Sequence, residues 1–263
     1  MHETNKLVPV CCLLFTVLSG CGEPLTDYGM NTETPVVESY LQEGANSLTV
    51  TVYSMEVYSR NDEYVLSKPV GGLNVSVNGS ELTETSSGVY QLELGNDTLR
   101  EGREYRLQFD HSGKSIEASA TVPAPVRNLR VEPEYLTLSS SYYYWDAADT
   151  AEVTVTWDDP DNSYYQVYIE SPNTTDMPSL GIFGRRMMQP FRGNTHRATA
   201  RDFRSAGAHR IYVYRVDKDY VELYGRVGSS DLANPVSSIQ NAFGIFTAMS
   251  VAQVRVWVSE SEE

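Results

Sequence analysis

Side chains able to do chemistry are plentiful in this sequence, but few are spaced for catalysis. After the first 20 residues three histidines are left, His111, His196 and His209. His209 opens an alternating strand and reads as a surface or edge residue, and His196 falls in a Gly/Asn/Arg loop. With no carboxylate cluster beside them they make a poor zinc site. There is no Gly-x-Ser-x-Gly elbow, no His-Glu-x-x-His pair and no phosphate-cradling glycine loop. Acids number 35, yet spacing marks no two of them as a carboxylate pair. No catalytic residue, metal or cofactor is called for, and the expectation is that the protein is not an enzyme.

Binding chemistry is better represented. From Gly184 to Arg210, Arg185, Arg186, Arg192, Arg197, Arg201, Arg204 and Arg210 face a single acid, Asp202. That is a +6 stretch in a chain whose remainder carries −21. Guanidinium forks suit carboxylates and phosphates, so Arg185, Arg186, Arg192 and Arg197 are candidates to dock an anionic ligand, a lipid headgroup or a receptor loop. The alternative is a salt-bridge region that neutralises acidic strands beside it. Tyr142, Tyr143, Tyr144 and Trp145 form a second candidate: exposed together, the rings would stack on sugars or anchor an interface, and packed down they would only cover the sandwich. Asp158, Asp159, Asp161 and Asn162 carry enough oxygens for calcium, but with Pro160 among them they read as a turn.

The N-terminus holds a different kind of site. A polar head with Lys6 precedes an apolar run from Leu7 to Leu18, and Ser19-Gly20 stand before Cys21. These are the marks of a secretory signal, and the run is shorter than the ~20 apolar residues a membrane span requires. Leu18-Ser19-Gly20-Cys21 resembles the bacterial lipobox, in which the cysteine thiol accepts lipid and becomes the mature N-terminus. The resemblance implies lipidation at Cys21 and attachment to a membrane through acyl chains. The three cysteines are Cys11, Cys12 and Cys21, so the folded part has neither a disulfide framework nor a cysteine metal site. A formal charge of −15 argues against nucleic acid as a partner.

These candidates must be carried by β-structure. Residues 22–35 are polar and aperiodic, a tether. Leu48–Tyr53, Leu73–Val77, Val89–Leu94, Tyr105–Phe109 and Ile116–Val122 each place apolar residues two apart, the period of a half-buried strand. Turn residues separate them, as at Asn78-Gly79, Ser87-Gly88 and Ser112-Gly113. Pro123-Ala124-Pro125 marks a boundary. Beyond it come Ala151–Trp157, Tyr164–Ile169, His209–Val216, Phe243–Ala248 and Val251–Val258, with one helical turn at Thr199–Arg204 capped by Thr199. The expected fold is all-β: two immunoglobulin/fibronectin-like antiparallel β-sandwiches, residues 36–123 and 124–258, the second with an insertion at about 171–200, and an acidic tail at 259–263.

The second half resembles a fibronectin type III module. Pro125–Val131 is similar to its opening strand, Val153–Trp157 to its second strand with a Trp between the sheets, Tyr164–Tyr168 to its third, and Ser205–Gly207 to the turn before its sixth. The whole chain resembles a family of Bacteroidota outer-membrane lipoproteins with no assigned function, through Pro35–Leu41, Pro69–Val77, Lys218–Tyr224 and Asn234–Phe246. Members are typically encoded beside TonB-dependent receptors. The resemblance implies a lipid-anchored protein of the cell outer membrane that assists a TonB-dependent receptor in capturing a nutrient, glycan or peptide ligand. An adhesin-like or fimbrial structural protein and an enzyme with scattered carboxylates are the alternatives. Asp97-Thr98-Leu99 and Asp149-Thr150-Ala151 look like the short O-glycosylation acceptor of Bacteroidota.

Overall fold

The computed structural model describes residues 34–55, 67–138, 151–172, 189–203, 205–224 and 237–260. The first half contains β1 (Pro35–Gln42), β2 (Ser47–Met55), β3 (Ser67–Pro69), β4 (Ser76–Val77), β5 (Ser80–Glu81), β6 (Thr83–Ser86), β7 (Val89–Glu93), β8 (Glu104–His111) and β9 (Lys114–Thr121). The second contains β10 (Arg127–Glu132), β11 (Tyr135–Leu138), β12 (Glu152–Asp158), β13 (Tyr164–Glu170), β14 (Phe191–Arg192), β15 (Thr195–Thr199), β16 (Gly207–Val216), a helix α1 (Lys218–Tyr224) and β17 (Phe243–Glu260). The chain is an all-β sandwich protein.

Its two cores share one sheet. The long sheet runs β14-β13-β16-β17-β1-β2-β7-β6, with β3 on β2 and β11 on β17. Two smaller sheets, β5-β4-β8-β9 and β10-β12-β15, complete the layers. Side chains alternate along a strand, so the even-numbered residues of β17 share a face. Phe246 and Ala248 enter the first core, with Val37, Val50, Leu107 and Ile116. Val256 and Val258 enter the second, with Val153, Val155, Ile211 and Val213. Both small sheets therefore pack on the same side of the long one. Between the cores, Ser250 donates from its hydroxyl to the carbonyl of Ala124 at 2.8 Å, where the proline-flanked linker crosses.

This corrects the expected division in two respects. Phe243–Ala248 and Val251–Val258 are not two strands but one of 18 residues. Its first third lies in the first sandwich, parallel to β1 with Val36 opposite Phe243 and Gln42 opposite Met249. The pairing is also not purely antiparallel, since β11 too runs parallel to β17, with Tyr135 opposite Trp257. Gly244 is what allows β1 so close: at φ +98°, a Cβ there would stand 2.0 Å from the Val37 carbonyl oxygen, which no other residue tolerates.

The second sandwich follows the fibronectin-like reading more closely. β10, β12 and β15 form one sheet, and β14, β13, β16 and β17 lie in the other, the two-sheet split of an immunoglobulin-type sandwich. Trp157 is buried between them, its ring centroid 5.0 Å from Tyr165 and 6.2 Å from Phe191. The turn at Ala200–Asp202 forms, with the Asp202 carboxylate accepting from the Thr199 amide at 2.8 Å.

Candidate binding face

The outer face of the long sheet, away from both small sheets, carries the odd-numbered residues of β17. Register places Gln166, Tyr214 and Val251 in one cross-strand row, and Tyr168, Tyr212 and Gln253 in the next. Then follow Glu170, Arg210 and Arg255, and finally Ala208, Trp257 and Tyr135. Near β1 the face is covered. Helix α1 folds back over it, begun by Asp217, whose Oδ1 accepts the Tyr220 amide at 2.9 Å, and braced by a Lys218–Glu222 pair one turn apart at 3.0 Å. An aspartate that accepts the third amide of a helix is a strong N-cap.

Beneath and beside the helix the phenols are tied to partners. Tyr220 donates to Gln166 Oε1 at 2.5 Å, the Tyr40 and Tyr224 hydroxyls meet at 2.5 Å, and Tyr212 donates to Glu170 Oε2 at 3.2 Å. Burial pushes the phenols of Tyr40 and Tyr220 far up, and those of Tyr53, Tyr214 and Tyr224 to about 12. Burial likewise raises the Asp217 carboxyl. At neutral pH these phenols are protonated and able to serve as hydrogen-bond donors. This part of the face is structural.

At the other end the face is open. Tyr135 and Trp257 are the exposed large hydrophobics of the described residues, at 74% and 54%. They stand opposite one another on neighbouring strands, roughly 4.8 Å apart at the backbone. One row on, the hydroxyls of Thr137 and Ser259 meet at 3.1 Å. One row back is Arg255, opposite Arg210. Arg210 is paired to Glu170 at 3.0 Å, whereas Arg255 is exposed and has no ion-pair partner among the described residues.

A family model for a domain of unknown function, DUF4249, matches residues 24–255. The chain belongs to the DUF4249 family. Comparison with curated proteins gives no match. Among solved structures, the DUF4249 chain is similar to DIP-gamma IG1+IG2 at 10% identity, covering 88% of this chain and 99% of that one, with a TM-score of 0.23. The titin A168–A169 pair gives 10%, 87%, 100% and 0.23, and titin z1z2 in complex with telethonin gives 10%, 89%, 100% and 0.23. Superposition at that level carries no argument; the fold of the DUF4249 chain rests on its own sheets.

The DUF4249 chain distributes the sequence candidates widely. Cys21, Tyr142, Tyr143, Tyr144, Trp145, Arg185, Arg186 and Arg204 lie outside the described residues. Arg192 is on β14, its guanidinium 4.2 Å from the Tyr164 ring centre and donating to the Asn162 carbonyl at 3.1 Å. Arg197 is on β15 in the other sheet, 3.9 Å from Glu152. Among described residues the arginine stretch is thus divided between two sheets, and Arg197 and Arg210 each meet a neighbouring acid. Asp158, Asp159 and Asp161 are spent on separate partners: the Asn128 amide, the Ser163 amide with the Tyr165 hydroxyl, and Arg215. No group of three or more His, Cys, Asp or Glu that could hold a metal occurs among the described residues.

The histidine expectations need correction. His209 is fully buried, because β16 is paired on both edges and register puts His209 on the same face as Ile211 and Val213. Phe203 meets its ring edge-on at 5.1 Å. His196 lies on β15 opposite Val155, half-buried, and not in a loop. Desolvation lowers the pKa of both. Sequence reasoning missed the Trp257–Tyr135–Arg255 end altogether. Trp257 was visible only as an alternate position in an apolar strand, and its pairing with Tyr135 spans 122 positions of chain.

Proposed function

We propose that this protein is an outer-membrane lipoprotein, held by acyl chains on Cys21, that acts as a non-catalytic binding and accessory module for a TonB-dependent nutrient-uptake system. The observation that carries the reading is the lipobox-like Leu18-Ser19-Gly20-Cys21, and the layout of β17 is compatible with it. β17 starts beside β1, the strand that leaves the tether, and ends at the open aromatic face. From Phe243 to Trp257 the strand travels about 46 Å at an ordinary rise per residue. A lipid at position 21 would then hold one end of the body and leave the exposed rings at the other. The two sandwiches share that strand, so the outer face runs continuously from one to the other.

Co-purification tests the uptake role. Membranes from cells expressing the surrounding genes are solubilised and the protein is captured; recovery of a TonB-dependent receptor is expected, and repeated capture without one would overturn the accessory role. Fractionation of a Cys21→Ala variant tests the anchor. The variant is expected to leave the outer-membrane fraction, and retention at the wild-type level would remove the lipid from the account.

A further inference from the structure

We infer that the open end of the long sheet is a saccharide site, and that the sugar it takes carries a carboxylate. This rests on the binding-module reading and names its ligand class. Trp257 and Tyr135 supply the platform: two exposed rings on adjacent strands of a sheet face, with small Ala208 on the far side of Trp257 leaving the surface level. The apolar area is confined to those rings. Around them are Thr137, Ser259, Gln253 and Arg255, all exposed and all with side chains able to hydrogen-bond a ligand.

A protein partner of ordinary affinity wants some 800 Å² of contact with an apolar centre, more than two rings in a polar border offer. A pyranose has matching proportions: one C–H face to lie on an aromatic ring and a rim of hydroxyls to meet polar side chains. The charge selects among sugars. Arg210 already has Glu170 at 3.0 Å, while Arg255, directly across from it, has no ion-pair partner among the described residues and feels the like charge of its neighbour. A carboxylate laid beside Trp257 would meet that guanidinium in the bidentate geometry it favours.

The test is calorimetric titration of the full-length lipoprotein in detergent with hexagalacturonate, against cellohexaose as the neutral probe and hexaglutamate as the acidic peptide probe. Hexagalacturonate is expected to bind saturably and roughly tenfold more tightly than cellohexaose. Trp257→Ala should weaken both saccharides by roughly tenfold, and Trp257→Phe should restore most of the loss. Arg255→Gln should abolish the uronate preference and leave cellohexaose unchanged. The inference fails if neither saccharide binds, if Trp257→Ala binds like wild type, or if Arg255→Gln keeps the preference. Hexaglutamate binding as tight as hexagalacturonate would also overturn it, in favour of an acidic peptide. A receptor recovered by co-purification without saccharide binding removes this inference and spares the uptake reading; saccharide binding without a receptor does the reverse.

Discussion

Around α1 the outer face of the long sheet carries Tyr40, Tyr164, Tyr212 and Tyr214 under or beside a helix, and at the far end of β17 it carries Tyr135 and Trp257 in the open. The residue class is the same and the surroundings differ. Near the helix each hydroxyl with a partner is held by another side chain, and the rings pack with Val216, Ile245 and Met249. At the open end the neighbours are hydroxyls, an amide and a guanidinium with no ion-pair partner among the described residues. An aromatic residue on a sheet is thus a packing element or a contact element according to what covers it. Only the second kind can be removed without loss to the fold.

The junction of β1 with β17 is what makes the two regions one face. Gly244→Ala would drive a Cβ to 2.0 Å from the Val37 oxygen at a backbone angle of φ +98°. It is expected to cost about 4 kcal/mol or more, seen as a large drop in the denaturant midpoint; an unchanged midpoint would mean that β1 and β17 are not held by this approach. Tyr220→Ala removes a ring that is 1% exposed together with its bond to Gln166. A loss of about 3 kcal/mol is expected in the same measurement, and less than about 1 kcal/mol would deny the covered region its structural role.

Smaller effects sharpen the contrast. His196 and His209 are held below the ordinary histidine value by desolvation, so the unfolded chain takes up protons first. Stability from these two groups is fully present above about pH 6.5 and falls as pH drops below it toward their folded-state values. Asp217, raised by burial, works in the opposite sense, since acidification toward its unfolded value relieves a costly buried charge. Unfolding at pH 7.5 and pH 5.5 should show a loss at the lower pH that a His196→Gln, His209→Gln double variant reduces; an equal loss in the variant would place the cause elsewhere. Least of all, Trp257→Ala should change stability by no more than about 0.5 kcal/mol, and a larger drop would make its ring a packing element after all.

Local pattern made much of the molecule legible in the sequence. The alternation of Val153–Trp157, Tyr164–Ile169 and His209–Val216 matches β12, β13 and β16, because a half-buried strand writes its period into its own residues. What pattern could not carry was non-local. Ser250 interrupts the apolar series of β17 and looks like a break between two strands, yet it faces inward to bond the Ala124 carbonyl. Parallel pairing of β1 with β17 joins residues about 200 positions apart and leaves no periodic trace. Helix α1 is short, but Asp217 followed three residues later by Tyr220, with Lys218 and Glu222 four apart, was a cap and a brace that could have been read. The open aromatic end required knowing which two strands meet.

β17 also bears on how the chain reaches its native state. β1 begins at Pro35 and its parallel neighbour at Phe243, so the first sandwich cannot close its sheet until residues 243–249 are available. Contacts of such long sequence separation slow folding, because the loop must close before the contact is made. A fragment ending anywhere before Phe243 would leave the inward edge of β1 bare and the Phe246 site in the first core empty.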